Sequence, residues 1–143
     1  MTGYFSTGAS GGCQTQLDAL RALCNGGTLK IYTGTQHDPD VTSITDTLLA
    51  TFTFSATAFS GSDTVSGSFN TKTVTTPAAS FAASTVSAAA TNTAAWFGLF
   101  TSGATLFGTG TVGTSGADLN FNSVAFSSGA NITISGFTLT LPE

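Results

Sequence analysis

What this chain lacks most is charge. Asp, Glu, Lys and Arg make up 7% of its 143 residues, where an ordinary soluble domain carries roughly a quarter. Its three basic residues, Arg21, Lys30 and Lys72, are scattered, and the formal net charge is −4. Neutralising phosphates takes clustered Lys and Arg, so no nucleic-acid partner is expected. Long apolar runs are missing too. The longest, Ala94 to Phe100, falls far short of the roughly 20 residues of a membrane helix, and no membrane role is expected. Met1 opens directly into Thr2-Gly3-Tyr4-Phe5 with neither a basic n-region nor an apolar h-region, which gives no sign of a secretory signal. Manufacture and use in a cytoplasm is the expectation.

Residues that do chemistry are just as sparse. There is one histidine, so a Ser-His-Asp triad could draw only on His37, and no Ser sits in a G-x-S-x-G elbow. His37, Asp38 and Asp40 offer metal-ligand types in a Pro-containing loop, but three such residues on solvated chain are a weak signal. Asp63 and Asp118 follow Gly-Ser and Gly-Ala in turns, where an Asx hydrogen bond accounts for them. No catalytic, cofactor-binding or metal-binding residue is assigned, and an enzyme is not expected. Cys13 and Cys24 are the only cysteines. On one helix they stand roughly 16 Å apart, beyond the reach of a disulfide; they are expected as buried small hydrophobes. Asn131-Ile132-Thr133 matches a glycosylation sequon, taken here as coincidence.

Thr, Ser, Gly and Ala take the place of the missing charge, and 12 Phe with 41% hydrophobic residues supply a core. One domain over residues 13–143 is expected. Residues 1–12 (MTGYFSTGASGG) suit a flexible arm that orders on a partner, with Tyr4 and Phe5 as its contact residues. Cys13, Leu17, Leu20 and Cys24 then recur at i, i+4, i+7 and i+11, with Leu23 beside them. That stripe predicts a helix over about 14–25, with Gly26 as its left-handed cap.

From Thr28 the period becomes two. Leu29 and Ile31 alternate with Lys30 and Tyr32; Leu48, Ala50, Phe52 and Phe54 alternate with Leu49, Thr51 and Thr53. A strand through Val65, Gly67 and Phe69 is expected to run on to Thr76, where Pro77 stops it. Residues 78–90, rich in Ala and Ser, fit helix or strand. Ala94–Phe100 has no polar face and predicts a central strand covered on both sides, with Trp96 in the core. Gly108 and Gly110 suggest close approach of another backbone. Ser127 to Asn131 suggests a hairpin loop, and a parity slip at Gly136 a β-bulge. Turn signals about every 8–12 residues indicate an all-β, antiparallel β-sandwich or jelly roll with one short N-terminal helix. Thr-x-Thr recurs at 51/53, 71/73/75, 109/111 and 138/140 without a fixed period, so no solenoid is implied.

Several segments carry a resemblance when taken in order. They are Gly27-Thr28-Leu29-Lys30-Ile31-Tyr32-Thr33-Gly34, Leu48-Leu49-Ala50-Thr51-Phe52-Thr53-Phe54 and Thr93-Ala94-Ala95-Trp96-Phe97-Gly98-Leu99-Phe100. The run Gly110 to Asn120 (GTVGTSGADLN) and the terminal Ile132 to Pro142 complete the set. Together they resemble a family of small virion proteins encoded in the structural-gene modules of tailed bacteriophages and prophages, over most of residues 14–142. The resemblance implies a virion structural protein, assembled in the host cytoplasm.

Combined with the low charge, the expectation is a capsid decoration, or cement, protein. It would bind as a homo-oligomer, a trimer for preference, between major capsid proteins. The alternatives are a tail, neck or baseplate accessory protein and a receptor- or carbohydrate-binding module on the virion surface. Copy number separates head from neck, and exposed co-planar rings at Tyr32 or Trp96 would mark the carbohydrate module.

Overall fold

The structure, a computed structural model, describes residues 12–41, 43–67 and 72–142. It is an all-β fold with one short N-terminal helix, α1 (Gly12–Cys24). Twelve strands follow in the described residues. They are β1 (Thr28–Tyr32), β2 (Leu48–Thr53), β3 (Thr64–Ser66), β4 (Thr73–Thr75), β5 (Thr85–Ser87) and β6 (Asn92–Thr93), then β7 (Trp96–Phe100), β8 (Leu106–Gly113), β9 (Leu119–Asn120), β10 (Ala125–Phe126), β11 (Asn131–Thr133) and β12 (Thr140–Pro142). The arm proposed for residues 1–12, with Tyr4 and Phe5, lies outside the described residues except for Gly12, which opens α1.

The apolar stripe of α1 is buried at Cys13, Leu17 and Cys24, while Leu23 is exposed. Cys13 and Leu17 pack with Val74, Leu139 and Leu141, and Cys24 reaches the main core. Gly26, at φ 64°, ends the helix as its sequence position predicts, and the Gly27 N–H closes on the Cys24 carbonyl at 2.9 Å.

The frame is a five-stranded sheet in the order β2-β1-β7-β8-β9. Its central strand β7 is buried at all five residues, as a run with no polar face requires. Leu29, Ile31, Phe97 and Leu99 join Phe52 and Phe54 in the main core on one face. On the other, Tyr32, Trp96 and Phe100 pack with Ile44, Leu48 and Leu106. The strict alternation expected along 48–54 fails at its start. The β1–β2 register shifts between Ile31 and Tyr32, so Leu49 bulges and Leu48 lies on the face opposite Phe52.

β5-β6 and β10-β11 are one long antiparallel ribbon. The pairs Thr85↔Thr133 to Ser87↔Asn131 and Asn92↔Phe126 to Thr93↔Ala125 keep a single register. Ala94 N–H to Val124 O and Ile134 N–H to Ser84 O extend it at both ends. Ser127–Ala130 is therefore not a hairpin loop joining paired neighbours, but a bend opposite residues 88–91. The ambiguous 78–90 stretch is strand at 85–87, with an isolated bridge joining Phe81 to Phe54; its small residues suit close packing against a sheet.

The third unit is the sheet β12-β4-β3, on which α1 lies. The single strand expected from Val65 to Thr76 is instead an antiparallel pair, β3 and β4. Gly67 sits at φ 94° and turns the chain; Phe69 and Thr71 lie outside the described residues. The slip at Gly136 is a change of sheet rather than a bulge: β11 pairs with β5, and β12 with β4. β8 and β9 pair in parallel, the exception to the antiparallel pattern. Gly110 is approached by a side chain rather than a backbone, since a Cβ there would lie 2.5 Å from the Phe97 ring.

Candidate interaction surfaces

Tertiary contacts absorb much of the little charge the chain has. Arg21 bonds Asp63 at 2.9 Å and the carbonyls of Phe59 and Gly61 at 2.8 and 3.1 Å. Asp63 also accepts from Gln14, and only 5% of its side chain is exposed. The Asx-turn explanation of Asp63 is thus replaced by a buried ion pair tying α1 to the β2–β3 connection. Asp118 likewise reaches across its loop and accepts from the N–H and hydroxyl of Thr111 at 2.8 and 2.9 Å. Lys30 lies over the Phe100 ring, 4.7 Å from its centroid.

His37 does not meet Asp38, Asp40 or Asp118. Asp38 instead accepts the Asp40 N–H in a local turn, and His37 Nε2 pairs with Asp46 Oδ2 at 2.9 Å. The same Asp46 oxygen accepts the Trp96 indole N–H at 3.0 Å, which is shared with the Thr33 carbonyl at 2.8 Å. Asp46 is the residue that sequence reasoning missed. Its signal was available: a buried Trp N–H needs an acceptor, and Asp46 stands just before β2 at the end of a polar loop. These contacts pin the 33–47 loop over the sheet. Tyr32 and Trp96 stack on each other at 4.7 Å and both are buried, so neither ring forms a surface platform. No group of three or more metal-ligating residues occurs among the described residues.

Cys13 and Cys24 are not joined in a disulfide, and both are buried. Burial pushes the Cys24 thiol up from 9.0 to about 12, which leaves it inert, and the Tyr32 phenol is raised for the same reason.

Asp18, Asp38 and Asp40 remain exposed, but the strands of the smaller sheet are neutral. On the side of β12-β4-β3 away from α1, Thr64, Thr75 and Thr140 lie in cross-strand register, and Ser66 lies beside Thr73. The hydroxyls of Thr75 and Thr140 are 2.8 Å apart, and those of Ser66 and Thr73 3.1 Å. Thr85 and Thr133 repeat the motif on the ribbon at 2.8 Å. β3 is an outer strand exposed at all three residues, with Val65 46% accessible. Neither β3, β8 nor β12 contains a charged residue, although charge is a common guard of strand edges.

No helix among the described residues is long and apolar enough to cross a membrane. No protein-family model, curated protein or solved structure matches the chain.

Proposed function

We propose that the chain is a bacteriophage virion structural protein, and that it decorates the capsid head, binding as a homo-oligomer between major capsid proteins. The observation that carries this reading is the uncharged set of strand edges and hydroxyl faces on β3, β4, β8 and β12. A solitary domain guards such edges with charge; a subunit that meets identical neighbours at fixed register has no need to. The resemblance of the 27–34, 48–54, 93–100 and 110–120 segments to phage virion proteins supports the same reading.

The mechanism is mass action. A ligand that binds the assembled lattice and not its separated subunits stabilises the lattice by about 2.7 kcal/mol at a concentration 100 times its dissociation constant. Quantitative mass spectrometry of purified virions of the encoding phage tests it. The expected result is one or more copies per capsid hexamer or pentamer, with added chain raising the melting temperature of undecorated heads. About six or twelve copies, as a closed ring requires, moves the protein to the neck or baseplate. Its absence from particles ends the virion reading altogether.

A further inference from the structure

Asn25-Gly26 is the one Asn-Gly pair in the sequence, and it forms the joint between α1 and β1. Such a pair is the dipeptide best suited to cyclise on itself, because glycine places no Cβ beside the attacking nitrogen. The Gly26 main-chain nitrogen closes on Cγ of Asn25. The N–Cγ bond forms, the Cγ–Nδ2 bond breaks, and the Gly26 amide proton leaves with Nδ2 as ammonia. Water then opens the imide ring at either carbonyl and leaves aspartate or isoaspartate. Asn25 is exposed, and its Nδ2 has no partner among the described residues. Around Gly26 the atom nearest to a Cβ would be Ser102 Cβ at 3.9 Å, so no neighbour crowds the joint.

Both reacting groups are held by one segment, residues 55–58. The Gly26 N–H donates to the Ser55 carbonyl at 3.0 Å, and Asn25 Oδ1 accepts the Ala58 N–H at 2.9 Å. Ring closure has to swing the side-chain carbonyl over the Gly26 nitrogen and strip that nitrogen of its proton, and the two hydrogen bonds oppose both steps. The bend is in turn fastened to Ser80. The Ser55 N–H donates to the Ser80 carbonyl at 2.9 Å, the Ser80 N–H to the Ala58 carbonyl at 2.6 Å, and the two serine hydroxyls are 2.9 Å apart.

We propose that Asn25 is a gated self-modification site, kept as the amide while the 55–58 bend is docked and converted to aspartate or isoaspartate when the bend opens. The inference stands apart from the virion reading and does not rest on it. Its two products differ in consequence. Aspartate keeps an acceptor for the Ala58 N–H. Isoaspartate adds a carbon to the main chain next to Gly26 and Gly27, and at Gly27 even a Cβ would overlap the Phe100 carbonyl. That product loosens α1 from the five-stranded sheet.

The experiment incubates the full-length chain in mildly alkaline buffer, native and urea-unfolded. Acid and isoaspartate at position 25 are counted by peptide mass spectrometry and isoaspartyl methyltransferase labelling. Native conversion is expected to be at least about tenfold slower than unfolded conversion, because it waits on local opening. In sub-denaturing urea it should rise in step with hydrogen exchange of the Gly26 and Ala58 amides. Ser80→Pro removes the Ser80 N–H and hydroxyl, and should speed native conversion about fivefold, the worth of roughly one main-chain hydrogen bond. Should that variant fail to fold, the urea series on wild type still decides. Equal conversion in native and unfolded chains overturns the gate, and an unfolded chain that keeps its amide overturns the site. Faster exchange of the two amides without faster conversion, or a folded Ser80→Pro chain that converts no faster, removes the 55–58 bend as the gate.

Discussion

The five-stranded sheet and the β12-β4-β3 sheet solve the same problem with opposite materials. The first is covered on both faces, by the main core on one side and by the Tyr32–Trp96–Phe100 cluster on the other. The second is covered on one face only, by Cys13 and Leu17 of α1 against Val74, Leu139 and Leu141, and turns Thr and Ser outward. The five-stranded sheet is built to hold itself together. The smaller one gives its second face and its edges to whatever lies outside. A chain so poor in charge remains specific because Phe, Trp and Leu set the register of one sheet, and the other is hung from it by a helix and an ion pair.

Truncation in the two regions should break the comparison most sharply. Phe52 is fully buried and packs edge-on to Phe81 at 5.9 Å; Phe52→Ala is expected to cost about 3–5 kcal/mol. Leu17 is equally buried but belongs to a small cluster of few residues, where collapse around the gap is easier. Leu17→Ala should cost about 2–3 kcal/mol. Urea unfolding with unchanged slope checks both. If Leu17→Ala proved the costlier change, the smaller sheet would be the principal core.

Next in size is the tie between the regions. Arg21→Ala leaves the Asp63 carboxylate, 5% exposed, with Gln14 as its remaining side-chain partner among the described residues. Breaking a fully buried pair costs about 3–5 kcal/mol. Because a fifth of the Arg21 side chain is exposed, about 2 kcal/mol is the expected loss. Arg21→Lys should recover little of it, since one ammonium cannot span the Asp63, Phe59 and Gly61 acceptors in the guanidinium's geometry.

How much of this was legible in the residues depends on which force decides each element. Helix α1, its Gly26 cap and the central strand β7 were legible because an apolar period or run names its own burial. The parity change between Ile134 and Phe137 was legible as a phase slip, but not as a switch of sheet, because pattern reports which face a residue takes and not which partner its backbone finds. The Leu49 bulge was hidden because Leu48, Leu49 and Ala50 are all apolar and any register satisfies them. Asp63, Asp118 and Asp46 were misassigned or overlooked for one reason. Their partners Arg21, Thr111, His37 and Trp96 lie from 7 to 50 residues away, and local turn chemistry cannot see them. Tyr4 and Phe5 stand outside the described residues.

The Cys24 thiol adds a pH test of the junction between α1 and the main core. Its folded value is raised above the unfolded one, so its contribution is fully present below about pH 9 and is lost as pH climbs toward 12. Between those limits the unfolded chain binds fewer protons than the native one, and stability should fall by about 1.4 kcal/mol per pH unit from this group. At about pH 10 the expected loss is about 1.4 kcal/mol, with the raised Tyr32 phenol adding the same sign at higher pH. Cys24→Ala should flatten the slope measured by urea unfolding over that range. A slope unchanged by the substitution would mean the thiol is more accessible than its burial indicates.

The smallest expected effect is the most informative about the outward sheet. Thr75 and Thr140 share a hydroxyl contact at 2.8 Å on its open face. Replacing both by Val removes donor and acceptor together, and a matched pair lost in this way is nearly neutral; Val also keeps the β-branched shape that strands favour. The isolated chain should therefore change by no more than about 0.5 kcal/mol. If the face only meets water, nothing else should change. If it meets a neighbour in an assembly, buried partner groups lose their hydrogen bonds at about 1–3 kcal/mol each, a roughly tenfold or greater loss of occupancy on particles. A double variant that unfolds like wild type yet decorates poorly would locate the contact on this sheet. Equal decoration would confine it to the edges of β3, β8 and β12.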